Sequence, residues 1–288
     1  MGTLQMSSHG VNNSYEACIF LDAGNTRIKW VVTDGAGHQF LDASRQTFPT
    51  QDLNHQMGFT QLAQQLAQTA KHYNCQSLWV CHVLGTSFFA QLDAALQLEK
   101  AGLTLRAPVV GQHAMLNTNY SDPTKLGQDR WVACLAVLGL TEHSLESAVN
   151  CVVSFGTATT VDALVRTGSA GDASVHLGGV IFPGLDLMLD GLHRNTAQLP
   201  KAHMQFEKWP TSTESAIASG VIRAQWSAVE GFVRDLEAQS NQTCRLWVHG
   251  GHAETLLAFL PDALSPKLVR LQDAVFHGLR YSMRGAGA

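Results

Sequence analysis

Apolar and polar positions alternate along this chain in two periods, one of about two residues and one of about 3.6, and the two take turns. Short β-branched and aromatic runs predict strands at residues 17–21, 28–33, 78–83, 103–110, 149–155, 159–165, 175–182 and 246–249. Apolar residues at helical spacing predict helices at 59–73, 87–98, 129–140, 185–193, 213–240 and 253–260. The pattern is that of an α/β chain with some hairpins. No apolar stretch approaches the roughly 20 uncharged residues that span a bilayer. Residues 1–14 have neither a basic nor an apolar region of the kind a signal peptide needs, and they read as a loose leader.

Composition narrows the class. At 288 residues and 45% hydrophobic, the chain can bury a large core and exceeds the usual single-domain length, which favours two domains. Its net charge of −4 gives no electrostatic ground for nucleic acid or an anionic membrane as main partner. The six cysteines are scattered through apolar runs without a CxxC pair, as expected of buried thiols in a reducing cytoplasm. His249 and His252 form an HxxH, but with no third ligand nearby a polar glycine turn is the better reading than a metal site.

The chemistry begins at LDAGNTRIKW, residues 21–30. A strand ends in Asp22, whose carboxylate suits a hydrated Mg²⁺, and Gly24 allows the backbone close to a phosphate. Asn25 and Thr26 add short donors, and Lys29 adds a point charge. Because residues 28–32 are apolar and strand-like, the turn is a hairpin and not a P-loop; neither GxxxxGK[ST] nor GxGxxG occurs. Asp-x-Gly-Asn also builds ordinary hairpins, so the motif alone leaves that alternative open. FGTATTVD, residues 155–162, repeats the logic of strand, glycine turn and strand, and adds Gly156, Thr157 and Thr159 to a phosphate cradle. Between the two lies LGQDRW, residues 126–131. Asp129 follows a glycine turn at the head of an apolar helix, as a base or as a plain N-cap, and Arg130 beside it can grip a carboxylate or amide.

Five segments in order, DAGNTRIK, YSDPTKLGQDRW (120–131), FGTATTVD, LGGVIFPGLDLM (177–188) and HGGHAE (249–254), resemble the motif series of type III pantothenate kinases. The resemblance implies a two-domain actin-like, ribonuclease H-like ATPase fold, with duplicated mixed sheets flanked by helices and one nucleotide held between two phosphate turns. The expected domains are 15–127 and 128–288. The implied reaction is transfer of the ATP γ-phosphate, with Mg²⁺, to the primary hydroxyl of pantothenate in the cytoplasm. Asp129 resembles the family's base. Asp22, Ala23, Gly24, Asn25, Thr26, Arg27, Ile28, Lys29, Gly156 and Thr157 resemble its ATP contacts. Tyr120, Gly127, Gln128, Asp129, Arg130 and Thr213 match its pantothenate contacts, with Thr196 a rival to Thr213. The family also implies a homodimer formed around residues 177–192. One position departs: where the family has Asp for a monovalent cation such as K⁺ or NH₄⁺, this chain has Ser154, so that ion site is expected to be weak or absent. A sister sugar or carboxylate kinase, and an accessory factor in transcription, are the alternative readings.

Overall fold

The computed structural model describes residues 17–34, 39–55, 57–141, 148–166, 168, 172–196, 199–200 and 202–285. The expected leader, 1–14, lies outside the described residues. The first sheet contains β1 (Cys18–Ala23), β2 (Arg27–Thr33), β3 (Phe40–Pro49), β4 (Ser77–His82) and β5 (Thr104–Arg106), in the order β3-β2-β1-β4-β5. Helices α1 (Gly58–Tyr73) and α2 (Phe88–Leu98) connect its later strands. The second sheet contains β6 (Leu116–Thr118), β7 (Val149–Phe155), β8 (Ala158–Arg166), β9 (Ser174–Pro183), β10 (Arg245–His249) and β11 (Leu268–Arg270), in the order β11-β10-β7-β8-β9-β6. Its helices are α3 (Gln128–Thr141), α4 (Leu185–Asn195), α5 (Thr213–Ser240), α6 (Ala253–Leu257) and α7 (Ala274–Gly285).

Reading β9-β8-β7-β10-β11 against β3-β2-β1-β4-β5 gives the same strand order twice, with β6 added beyond β9. In the second sheet β7, β8 and β9 pair antiparallel, and β10 and β11 then join parallel. In the first, β2 and β3 pair antiparallel and β4 and β5 parallel. This is the duplicated, ribonuclease H-like arrangement of mixed sheets.

Strand β7 and helix α5 match the expected limits, 149–155 and 213–240. β3, β6, β11 and α7 were not expected, for physical reasons. Only Ser44 and Phe48 of β3 are buried, which leaves almost no apolar alternation to read. β6 and β11 have three residues each, too few to show a period. α7 is short and amphipathic, with Phe276, Leu279 and Tyr281 buried, and it packs on α3. That packing is close: a Cβ at Gly139 would sit 2.8 Å from the Tyr281 ring.

The chain forms two compact units. One runs through Leu21, then Arg27–Trp79 and Thr86–Arg106; the second comprises Asp22–Thr26, Val80–Gly85 and the chain from Ala107 onward. The chain after Arg106 thus lies wholly in the second unit, and the first glycine turn belongs with it. Two hydrogen bonds lie within that unit. The Val83 amide donates to the Ala23 carbonyl at 3.2 Å, and the His82 amide donates to Gln128 Oε1 at 2.8 Å.

The core of the second unit lies between its sheet and α5. Phe155 and Trp226 meet edge to face at 5.1 Å, among Val149, Val153, Val161, Val229 and Leu246. Helix α5 begins with a capping box, in which Ser212 and Ser215 exchange side-chain and backbone bonds. Helix α3 is buried nearly all round, so its first turn is rigidly placed.

Candidate active site

The first turn, Asp22–Thr26, projects from β1. Ala23 and Ile28 are buried, so only their backbones can reach a nucleotide. Asp22 and Gly24 are half-buried, whereas Asn25, Thr26, Arg27 and Lys29 are exposed. On β2 the side chains of Arg27 and Lys29 alternate with buried Ile28, as strand geometry requires.

The second turn, Phe155–Ala158, is clamped from two sides by glycines. The Gly184 amide, at the N-cap of α4, donates to the Thr157 carbonyl at 3.0 Å. The His252 amide donates to the Phe155 carbonyl at 2.9 Å, and a Cβ on Gly250, at φ +106°, would lie 2.7 Å from the Phe155 nitrogen. Thr157 is exposed and Gly156 half-buried. Thr159, expected in the phosphate cradle, is not there: it is fully buried and its hydroxyl donates to Gln225 Oε1 at 2.6 Å. The HxxH turn is the clamp itself, with His252 Nε2 3.1 Å from Asp186 Oδ2. No group of three or more His, Cys, Asp or Glu among the described residues could hold a metal by itself.

Asp129 is the second residue of α3, so it is not the N-cap. Its Oδ1 accepts from the Arg130 amide at 2.9 Å. Burial pushes its carboxyl above the usual carboxylate value; the neighbouring Arg130 amide and charge oppose this, and Asp162 adds to it. Gly127 makes room for that carboxylate, because a Cβ there would lie 2.7 Å from Asp129 Oδ1. Desolvation first, and then the charges of Asp22 and Asp129, push the buried Cys81 thiol up. Gln128 ties these parts together: its amide accepts from His82 and donates to the Pro108 carbonyl at 2.9 Å. The side chain of Gln128, expected in the acceptor pocket, is thus engaged as a strut.

Arg130 is buried and bound side-on to Asp162, with Nη2 2.6 Å and Nε 3.1 Å from Oδ1. Its Nη1 donates to the Tyr120 hydroxyl at 2.8 Å. Burial works against the Arg130 charge, but Asp162 and Tyr120 more than offset it, and its pKa rises. Asp162 and His176 were not singled out from sequence. The signal was present in Asp162, a carboxylate within the apolar run of β8, which must be paired if buried.

Thr213 opens α5 and is exposed; with Met188, Leu192, Ile217 and Val221 it lines an apolar cavity of about 660 Å³. Thr196 ends α4 and donates its hydroxyl to the Leu192 carbonyl at 2.6 Å. All six cysteines are buried free thiols, as expected.

Two glycine turns at strand ends, a desolvated carboxylate heading a buried helix and the duplicated sheet order define a phosphotransferase of the actin-like class. The type III pantothenate kinase family model matches residues 18–235. Type III pantothenate kinase from Cupriavidus pinatubonensis is 31% identical over 268 residues, covering 88% of this chain and 95% of its own. The enzyme of the same name from Aromatoleum aromaticum is 33% identical over 262 residues, covering 91% and 95%. The chain belongs to the type III pantothenate kinase family. Among solved structures, a conserved Baf family protein from Campylobacter jejuni shares the fold, with a TM-score of 0.54 at 18% identity over 92% of this chain and 97% of that one.

Proposed function

We propose that the protein transfers the γ-phosphate of ATP to the primary hydroxyl of pantothenate, giving 4′-phosphopantothenate in the first step of coenzyme A synthesis, with Asp129 as general base. The observation that carries the reading is the desolvated Asp129 carboxylate, held by the Arg130 amide and flanked by Gly127, in a chain of this family. A carboxylate whose pKa is raised is a stronger base, and a positioned base typically contributes about 10² to 10⁴ in rate. Phosphoryl transfer otherwise needs alignment and charge neutralisation more than covalent help. Gly24, Asn25, Thr26 and Lys29 serve the phosphates from the first turn, and Gly156 and Thr157 from the second. Tyr120 and Arg130 supply acceptor contacts.

Mg²⁺ fits Asp22, because this ion takes one or two carboxylates beside phosphate oxygens and keeps much of its water. Bound there, it supplies charge neutralisation for the phosphates. Ser154 is half-buried and uncharged, which supports a weak or absent monovalent-cation site. No helix among the described residues is long and apolar enough to cross a membrane, and the reaction is assigned to the cytoplasm. The protein acts as a homodimer, and Thr213 in the lining of the apolar cavity is a better acceptor contact than Thr196, whose hydroxyl donates to the Leu192 carbonyl.

A coupled assay for ADP release tests the reading. Turnover is expected with pantothenate and not with sugars or acetate, and the rate should respond little to K⁺. Ser154→Asp should create K⁺ dependence. Phosphorylation of a sugar with pantothenate inert would overturn the assignment.

A further inference from the structure

Five residues form a closed hydrogen-bonded circuit beside Asp129. Arg130 on α3 grips Asp162 on β8; Asp162 Oδ1 lies 2.7 Å from His176 Nε2 on β9; His176 Nδ1 lies 3.0 Å from Thr118 Oγ1 on β6. Thr118 Oγ1 accepts from the Tyr120 amide at 3.2 Å, and the Tyr120 hydroxyl accepts from Arg130 Nη1, which closes the ring. Arg130, Asp162 and His176 are 5%, 2% and 0% exposed, so the Arg130–Asp162 and Asp162–His176 bonds are made out of water, where an unmade one is costly, while the bonds through Thr118 and Tyr120 are part-buried. Gly179 is part of the arrangement, since a Cβ there would lie 2.6 Å from Asp162 Oδ1 and 2.7 Å from Arg130 Nη2.

The ring fixes its own proton directions. A carboxylate can only accept, so His176 donates from Nε2; in the neutral imidazole Nδ1 then accepts from the Thr118 hydroxyl. Thr118 is left accepting from the Tyr120 amide. Two consequences reach the outer end of the circuit. The Tyr120 oxygen accepts from Arg130, so its own O–H is still available as a donor. Arg130 has five N–H groups, and the bonds above leave one on each of Nη1 and Nη2.

We propose that Asp162, His176 and Thr118 are positioning residues for the acceptor: they orient Arg130 and Tyr120 so that the two remaining guanidinium N–H groups and the phenol O–H together receive a carboxylate. The inference rests on the reading of pantothenate as acceptor, which carries such a group. A planar pair of N–H donors with a third O–H beside it matches the acceptor sites of a carboxylate and not those of a neutral hydroxyl.

The experiment compares pantothenate with its neutral analogue, in which the carboxylate is replaced by a hydroxymethyl group. In wild type the acceptor KM should be much lower for pantothenate. His176→Leu and Asp162→Asn should raise the KM for pantothenate about tenfold, the scale of one lost charge-assisted hydrogen bond, while the KM for ATP and for the neutral analogue hold. His176→Gln, which keeps a donor toward Asp162, should restore most of the preference. Equal losses on both acceptors, or losses that follow melting temperature alone, would reduce these residues to scaffolding and overturn the proposal. Arginine side-chain NMR reads the circuit without substrate. A slowly exchanging Arg130 Nε–H in wild type should be lost in Asp162→Asn and His176→Leu, and persistence in both would also overturn it. If wild type phosphorylates neither compound, the pantothenate reading fails, and the NMR result still decides the positioning role.

Discussion

At the scale of single residues, Asp129 illustrates how burial and function pull against each other. Desolvation raises its pKa, so ionising it in the folded protein is harder than in the unfolded chain. By linkage, this group favours the folded state fully below the ordinary carboxylate pKa, and that contribution is lost as pH rises through the raised folded value. Asp129→Asn should therefore lose about 10² to 10⁴ in kcat while melting no lower than wild type, with the difference in melting temperature widening from acid to neutral pH. Turnover and thermal melts on the same samples check both halves. The same shift sets the acid limb of kcat/KM above the usual carboxylate pKa in wild type. Asp129 was legible in sequence from its glycine turn and apolar helix, as was Arg130. Their partners Asp162 and His176 were not, because the bonds that join them cross from α3 to β8 and β9, which no local spacing encodes.

At the scale of elements, the second glycine turn has its shape imposed by neighbours that come much later in the chain. Gly250 approaches the Phe155 backbone with φ +106°, so Gly250→Ala carries both a left-handed strain and a collision with main-chain atoms. We expect it to destabilise the protein by about 2–4 kcal/mol in denaturant unfolding and to raise the KM for ATP, because the Phe155–Thr157 turn must shift. Gly251→Ala is the control: a Cβ there meets nothing within 4 Å, and both measurements should stay near wild type. The elements themselves were largely readable where they are long and buried, as β7 and α5 show. β3 escaped because exposed polar residues dominate it.

At the scale of the whole molecule, an apolar surface on β9 and α4 has no cover within the described chain. Val180 and Ile181 are 42% and 60% exposed, although neighbouring strand residues point to opposite faces, so this end of β9 is open on both sides. Leu187 is 50% exposed on α4 nearby in sequence. A second copy of the chain is the occupant expected from the family. Ile181→Glu combined with Leu187→Glu should convert a dimer to a monomer in light scattering coupled to size exclusion, and should lower turnover if Thr213 completes its partner's acceptor pocket. A wild-type monomer would remove both expectations.

The sequence by itself determined the alternation of strands and helices, the two glycine turns and the position of Asp129, whereas Ser154 reads as a departure only beside the family the chain resembles. The first three follow from residue type and short spacing, since turn chemistry and periodicity act over a few residues. Only the tertiary structure decided that Thr159 is buried against Gln225, that Gln128 is a strut, that the first turn belongs with the second unit, and that Arg130 is oriented through Asp162 and His176. Those outcomes depend on strand order and on helices docking across the sheet. Such contacts join residues tens of positions apart, and burial then makes each hydrogen bond among them obligatory.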